Sequence, residues 1–262
     1  MAQSAPARPA GGRLLLGPGH LGEPNDLSLR VVEALRTAAL LVVEAGSEHG
    51  LAHVQARLSL PVRPVAFIPT GPLPAEASAR ILATLDEGGT VLLFGVDEGI
   101  PGYADPGAAV VRAVRETRPD VPVRSLGGTS VIGAALLASG LELDRVTFLG
   151  VTTAPPEQRE RKLREALGWI ERLSIREHAV ALLSTGADVV ELAERLARMR
   201  WLRCELVVCA SLTRPEERTT TGAPEAVLQS PPPAEAPCVL FVSARLLGWH
   251  PRAWWTLTTA LR

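Results

Sequence analysis

The sequence predicts an α/β fold built on a mostly parallel sheet, and three observations carry that expectation. Short, β-branched apolar runs of strand length alternate with amphipathic stretches of helical period along most of the chain. Glycine and proline cluster directly after several of these runs, at Gly17-Pro18-Gly19, at Gly95 to Gly102 and at Gly127-Gly128, and an open α/β sheet places its ligand loops just there. Helix-start signals then follow the loops, the clearest being Asp105-Pro106, an N-cap acid before a proline at the first helical position.

Taken in order, residues 1–12 (MAQSAPARPAGG) lack the apolar run of a signal peptide and are expected to form a disordered leader. Arg13 to Leu16 reads as a strand and ends in Gly17-Pro18-Gly19-His20-Leu21-Gly22. That is literally the dinucleotide fingerprint G-x-G-x-x-G, with Glu44 about where a ribose-binding acid lies. In the true fingerprint the helix starts inside the glycines and its N–H groups face the pyrophosphate. Here Pro18 has no N–H, Pro24 follows, and the helix signal comes only at Asp26, with Leu27, Val31, Leu35 and Ala38 on one face. A nicotinamide-dependent oxidoreductase therefore stands only as a rival reading.

Leu40 to Val43 is the next strand and delivers Glu44 beside Gly46, Ser47, Glu48 and His49. A helix from about Glu48 to Leu58, a strand at Val65 to Ile68 and a helix from about Pro74 to Glu87 lead to the strand Val91 to Phe94. The loop after it holds Gly95, Asp97, Glu98, Gly99, Pro101 and Gly102, and its composition is that of a ligand loop. Beyond the helix through Ala109, Val110 and Val114, a strand at Val121 to Arg124 runs into Leu126-Gly127-Gly128-Thr129-Ser130 and an alanine-rich helix, Val131 to Ser139, stopped by Gly140.

Val146 to Val151 is a further strand, and Gln158 to Arg172 a charged helix with Leu163, Ala166, Leu167 and Ile170 inward. Strands at Ala179 to Leu183 and Glu205 to Cys209 flank a helix from Asp188 to Met199. Ser211 to Gly222 reads as a polar loop and Val239 to Ser243 as a last strand. From Val239 onward there is no acid, and Arg245, Arg252 and Arg262 are interleaved with Trp249, Trp254 and Trp255. Such a tail suits RNA stacking, though the plainer reading is a packed terminal segment or a dimer contact.

The 262 residues suffice for one large or two smaller domains, and the reading divides them into a 13–122 N-terminal α/β domain and a 123–262 C-terminal one with the tryptophan-rich tail. With 27 basic and 28 acidic side chains, global charge supplies no attraction for nucleic acid or anionic membrane. Cys204, Cys209 and Cys238 lack metal-ligand spacing and read as small core residues of a reducing compartment, and the five histidines are scattered. No run approaches the ~20 apolar residues that span a bilayer, so a cytoplasmic protein with no membrane partner is expected.

These loops resemble the tetrapyrrole methylase superfamily, and within it the small-subunit rRNA 2′-O-ribose methyltransferase branch. The branch's S-D-A-G-T-P-x-x-S-D-P-G pattern aligns without gaps on Val96 to Gly107; its D-I-T-L-R-A is similar to Asp26 to Val31, its P-G-P-S-A turn corresponds to Leu126 to Val131, and its R-E-L-T-K-x-x-E-E to Ala210 to Arg218. The resemblance implies a class III methyltransferase: two α/β domains, a cofactor cleft between them, S-adenosyl-L-methionine as cofactor and a homodimer. It also implies cofactor contacts at Pro18, Gly95, Val96, Asp97, Ile100, Thr129, Ser130, Leu183, Cys209 and Ala210, the last three through backbone. Asp97 is suited to accept from the cofactor's amino or hydroxyl groups, or else caps its own loop as an Asx turn.

If the acceptor is a hydroxyl, a carboxylate or imidazole must take its proton, and Glu44, Glu98 and His49 are the candidates. The departures bear on substrate. Where the rRNA enzymes carry Asp-Thr-Arg after the glutamate, this chain has Ala45-Gly46-Ser47; an aromatic-Glu-Ser-Pro-His-Arg run is replaced by Leu183 to Asp188; and the arginine of R-E-L-T-K is Ala210. RNA ribose thus stands beside a small molecule, a tetrapyrrole-like macrocycle or a peptide as acceptor, and beside a cofactor-binding protein without turnover.

Overall fold

The computed structural model describes residues 11–96, 99–100, 106–141, 146–151, 156–173, 179–199 and 204–244. The chain divides after Ala134 into two compact units.

In the first unit, β1 (Arg13–Gly17), β2 (Leu40–Glu44), β3 (Val65–Ile68), β4 (Thr90–Phe94) and β5 (Val123–Ser125) form one sheet in the order β3-β2-β4-β1-β5. Every pairing in it is parallel, from Arg13↔Thr90 between β1 and β4 to Glu44↔Ile68 between β2 and β3. A parallel pair needs a crossover, and helices supply them: α1 (Leu29–Thr37), α2 (Glu48–Arg57), α3 (Ala75–Asp86) and α4 (Gly107–Thr117). The side-chain period of two then sorts the strands. Leu15, Leu41, Val43, Leu92 and Phe94 pack against Val31 and Leu35 of α1 and Leu51 and Val54 of α2. Leu14, Leu40, Val42, Val91 and Leu93 pack against Ile81 and Leu85 of α3 and Val110 and Val114 of α4. Burial on both faces explains why these strands read as unbroken apolar runs.

Two starts differ from the sequence expectation. A short 3₁₀ turn occupies Pro24–Asp26, and the cap of α1 is Ser28, whose hydroxyl accepts from the Val31 N–H. At α4 the capping position belongs to Pro106 rather than to the residue before it, and Asp105 lies outside the described residues. The expected domain boundary at residue 122 gives way to one at Ala134, because β5 pairs with β1 (Leu14↔Val123) and so completes the first sheet.

The second unit departs further. Its sheet, in the order β6-β7-β10-β8-β9, joins β6 (Val146–Val151), β7 (Ala179–Thr185), β8 (Cys204–Ala210), β9 (Arg218–Gly222) and β10 (Pro237–Ala244). Only β6 and β7 pair in parallel; β7–β10, β10–β8 and β8–β9 are antiparallel. The mostly parallel expectation thus holds for the first sheet and is corrected for the second. The supposed polar loop Ser211 to Gly222 contains β9, an exposed edge strand whose Arg-Thr-Thr-Thr-Gly carries no apolar side to betray it. A short helix, α8 (Pro224–Gln229), also escaped the periodic reading. One face of this sheet, including Leu182, Leu206, Val208, Leu240 and Val242, is covered by α6 (Pro156–Leu173), α7 (Gly186–Arg198) and α8 through Ala166, Ile170, Val189, Leu192, Leu196 and Val227. α5 (Val131–Ser139) runs across the division at Ala134.

Candidate functional site

All five strands of the first sheet end at one edge, and the crossovers from neighbouring strands part there. β1 leads through α1 toward β2 and β3, whereas β4 leads through α4 to β5 at the opposite side. β1 and β4 are hydrogen-bonded neighbours, so the loops that leave them diverge on opposite faces. Such a switch point leaves a crevice outside the carboxyl ends of the strands, the general ligand position of open α/β sheets.

Three loops interlock there. The Gly95 N–H donates to the Gly17 carbonyl (3.1 Å), the Gly19 N–H to the Gly99 carbonyl (2.7 Å), and the His20 N–H to the Val96 carbonyl (3.3 Å). The third loop enters through Thr129, whose hydroxyl donates to the Gly19 carbonyl. Ser28, the cap of α1, donates its hydroxyl to the Gly127 carbonyl at 2.8 Å. The glycines are there for this approach: a Cβ on Gly19 would overlap the Gly95 carbonyl, and one on Gly128 would lie 3.0 Å from the Pro18 ring. Gly99 adds a left-handed φ of +74°, with the Thr129 carbonyl 3.2 Å from where its Cβ would stand. The fingerprint-like Gly17 to Gly22 is therefore a loop–loop lock, with α1 beginning only at Leu29.

The structure brings Pro18, Gly95, Val96, Ile100, Thr129 and Ser130 to this edge. Pro18, Gly95 and Val96 are buried, Thr129 and Ser130 half-buried, and Ile100 is 44 % exposed, an apolar side chain held open to the solvent side of the loop. Asp97 and Glu98 lie outside the described residues. Glu44 ends β2, the strand beside β4, and is half-buried; the Thr70 hydroxyl, from the loop after β3, donates to its Oε1 at 2.8 Å. That partner was not foreseen, because nothing in the sequence links residues 44 and 70 until β2 and β3 pair. His49 sits exposed in the first turn of α2.

The remaining candidates belong to the second unit. Leu183 and Cys209 both pair with Val239 of β10, one from each side, and Ser184 and Ala210 both pair with Cys238. They therefore line up at the end where β7 and β8 finish. Cys209 is fully buried, and its thiol donates to the Ala135 carbonyl at 3.6 Å. Ala210 is 2 % exposed. Neither side chain can reach a ligand, so any role is confined to backbone. Burial pushes all three thiols up, Cys204 to about 11 and Cys238 to about 12, which makes them inert core residues at neutral pH. Immediately beyond Ala210 the backbone takes left-handed conformations at Ser211 (φ 52°) and Thr213 (φ 62°), uncommon for such residues, and Glu217 braces the turn by accepting from the Thr213 N–H at 2.7 Å.

Among the described residues no helix is long and apolar enough to cross a membrane. Residues 16–227 match the family model described as Tetrapyrrole (Corrin/Porphyrin) Methylases. The chain is 28% identical over 146 residues to a protein of Leptospira biflexa named ribosomal RNA small subunit methyltransferase I, covering 56% of this chain and 58% of that one. A protein of the same name from Mycobacterium tuberculosis is 28% identical over 216 residues, 81% of this chain and 70% of its own. The fold matches that of uroporphyrin-III C-methyltransferase from Thermus thermophilus complexed with S-adenosyl homocysteine, with a TM-score of 0.52 at 20% identity over 88% of this chain and 92% of that one.

Proposed function

The chain belongs to the tetrapyrrole (corrin/porphyrin) methylase family, and from that premise we propose that it is an S-adenosyl-L-methionine-dependent methyltransferase whose acceptor is small-subunit ribosomal RNA. The observation that carries the reading is the interlock of three loops at the switch point between β1 and β4, a rigid backbone cradle outside the carboxyl ends of the strands. The names of the relatives support the acceptor.

The cradle fits the cofactor in kind: half-buried hydroxyls at Thr129 and Ser130, an exposed apolar side chain at Ile100 and close-packed glycine backbone offer an amphipathic nucleoside both polar and apolar contacts. Asp97 is a further proposed contact, as is the backbone at Leu183, Cys209 and Ala210. When bound, the cofactor supplies a methyl group on a positively charged sulfur. Transfer neutralises that charge, so the protein contributes by holding donor and acceptor in line and by excluding water. The buried Pro18, Gly95 and Val96 form a dry wall for that purpose. Glu44 is the general base of this proposal: held by Thr70, it takes the proton of an acceptor hydroxyl as attack begins, with Glu98 and His49 as the lesser candidates.

One observation favours a second acceptor class. The positions after Glu44 are Ala45, Gly46 and Ser47, small residues on an exposed turn, where the rRNA branch carries charged groups. Together with the near-zero net charge this supports a small macrocycle or peptide. A homodimer is also proposed, supported by α5, whose nine residues carry no charge and leave Leu137 87 % exposed; light scattering tests it. The deciding experiment is calorimetric titration with S-adenosylhomocysteine of the parent and of Asp97→Ala, followed by transfer of radiolabelled methyl groups to small ribosomal subunits. Binding weakened by the substitution, and label in the RNA, are expected. A folded protein that binds no S-adenosylhomocysteine would overturn the proposal.

A further inference from the structure

A pocket lies within the C-terminal unit, and its cause is a fault in the sheet. β6 is an edge strand, and its register with β7 slips: Phe148 faces Ala181, but Val151 faces Leu183. Two residues, Leu149 and Gly150, thus stand against the single Leu182. The extra residue is accommodated by Gly150, at a left-handed φ of +94°, and a Cβ placed on it would meet nothing within 4 Å. Bulges at sheet edges open and re-aim the strand, and they are over-represented beside functional sites.

The space opened is a cavity of about 260 Å³ lined by Leu149, Gly150 and Leu182 on the sheet side and by Lys162, Glu165, Ala166 and Trp169 of α6. Positions 162, 165, 166 and 169 are spaced i, i+3, i+4 and i+7, so they form one stripe down the helix. The inward stripe of α6, on which Leu163 and Ile170 are fully buried, meets this one at Ala166. Trp169 instead stays 42 % exposed, its indole forming a wall of the cavity. Ala166 and Leu182 are buried and give an apolar floor, while Lys162 and Glu165 set one cation and one carboxylate beside it.

We infer that this cavity is a nucleotide pocket that takes one base with its phosphate, distinct from the cofactor site. Three features select that chemistry. The volume falls just below the range of about 300–1,000 Å³ that suits a whole drug-sized ligand, and so encloses a single ring system, leaving the sugar and phosphate at the rim. An indole wall over an apolar floor stacks a planar base without regard to its identity. The carboxylate of Glu165 accepts from an exocyclic amino group, and the ammonium of Lys162 pairs with a phosphate. The source is either a free mononucleotide or an unstacked residue of single-stranded RNA, which offers its base in the same way.

The test uses the full chain saturated with S-adenosylhomocysteine, so that the cofactor site is filled and its own state is read separately by calorimetry. Cytidine monophosphate and a single-stranded RNA decamer are titrated while indole fluorescence is followed, in the parent, Trp169→Phe and Lys162→Ala. Saturable quenching that Trp169→Phe removes is expected, and calorimetry with the better probe should give an affinity about tenfold weaker in each variant, within the range that one stacked base supplies. A flatter salt dependence is expected in Lys162→Ala, which loses a phosphate contact. Saturation by the monophosphate alone assigns a free nucleotide, and tighter binding of the decamer assigns RNA. If neither probe quenches, or if both variants bind like the parent, the inference fails, whatever S-adenosylhomocysteine does. Lys162→Ala keeps the test decisive should Trp169→Phe misfold, since Lys162 is only half-buried at the cavity rim.

Discussion

In the first unit five parallel strands finish at one edge, so residues as distant as Pro18, Val96 and Thr129 meet in one backbone lock. In the second unit β6, β7 and β8 finish at one edge but β9 and β10 run the other way, and local devices take over: a bulge at Gly150 and two left-handed residues after Ala210. The difference teaches where each kind of sheet puts its chemistry. A parallel sheet makes a site by topology, because every connection must pass over a face and its loops must collect at one end. A mixed sheet has no such obligation and makes recesses by local irregularity.

The largest effect should come from the lock. Gly19→Ala drives a Cβ into the Gly95 carbonyl and is expected to cost more than about 4 kcal/mol in urea unfolding, beyond the usual range for a point change. Gly127→Ala, on the third loop but with nothing within 4 Å, should stay within about 0.5 kcal/mol. Equal effects would mean that the loops do not bear on each other. Next, Glu44→Gln should lower methyl transfer about a hundredfold while leaving S-adenosylhomocysteine affinity unchanged, as loss of a general base requires; Thr70→Val should give a smaller loss in the same direction, read as a split between kcat and KM.

Thr129→Val leaves the Gly19 carbonyl without its donor and is expected to cost about 1–3 kcal/mol, with Thr129→Ser recovering most of it in thermal unfolding. The matching interaction in the second unit is an ion pair rather than a loop lock. Arg195 of α7 donates to both oxygens of Glu160 of α6, at 2.5 and 3.2 Å, and Arg164 donates at 2.6 Å. The Arg195 hydrogen bonds foremost, then those of Arg164, hold the Glu160 carboxyl down to about 2 from an ordinary 4.5. In the unfolded chain the carboxylate takes up its proton near 4.5, in the folded protein only near 2. The stability it adds is therefore complete above pH 4.5 and lost as pH falls toward 2. Because the pair is exposed the effect is small: urea midpoints of the parent and Glu160→Gln should differ slightly at pH 6 and converge only as the pH falls to about 2 or below. A difference that grew on acidification would reverse the sign and refute the pairing.

What the amino-acid order determined by itself was local. Buried strands such as Leu40–Glu44 and Thr90–Phe94 announce themselves because both faces are apolar, and the helices between them because one stripe is. From that alternation came the α/β class, and from the glycine-rich ends of the strands came the first unit's candidate loops. β9 was illegible because an exposed edge strand of arginine, threonine and glycine owes its form to hydrogen bonds with β8, not to any pattern of its own. Strand direction, the partnership of β5 with β1, the hold of Thr70 on Glu44 and the cavity beside Trp169 were decided only by tertiary structure. Each depends on which distant strands pair and in what register, and that choice is made by packing over the whole unit, which no window along the chain contains.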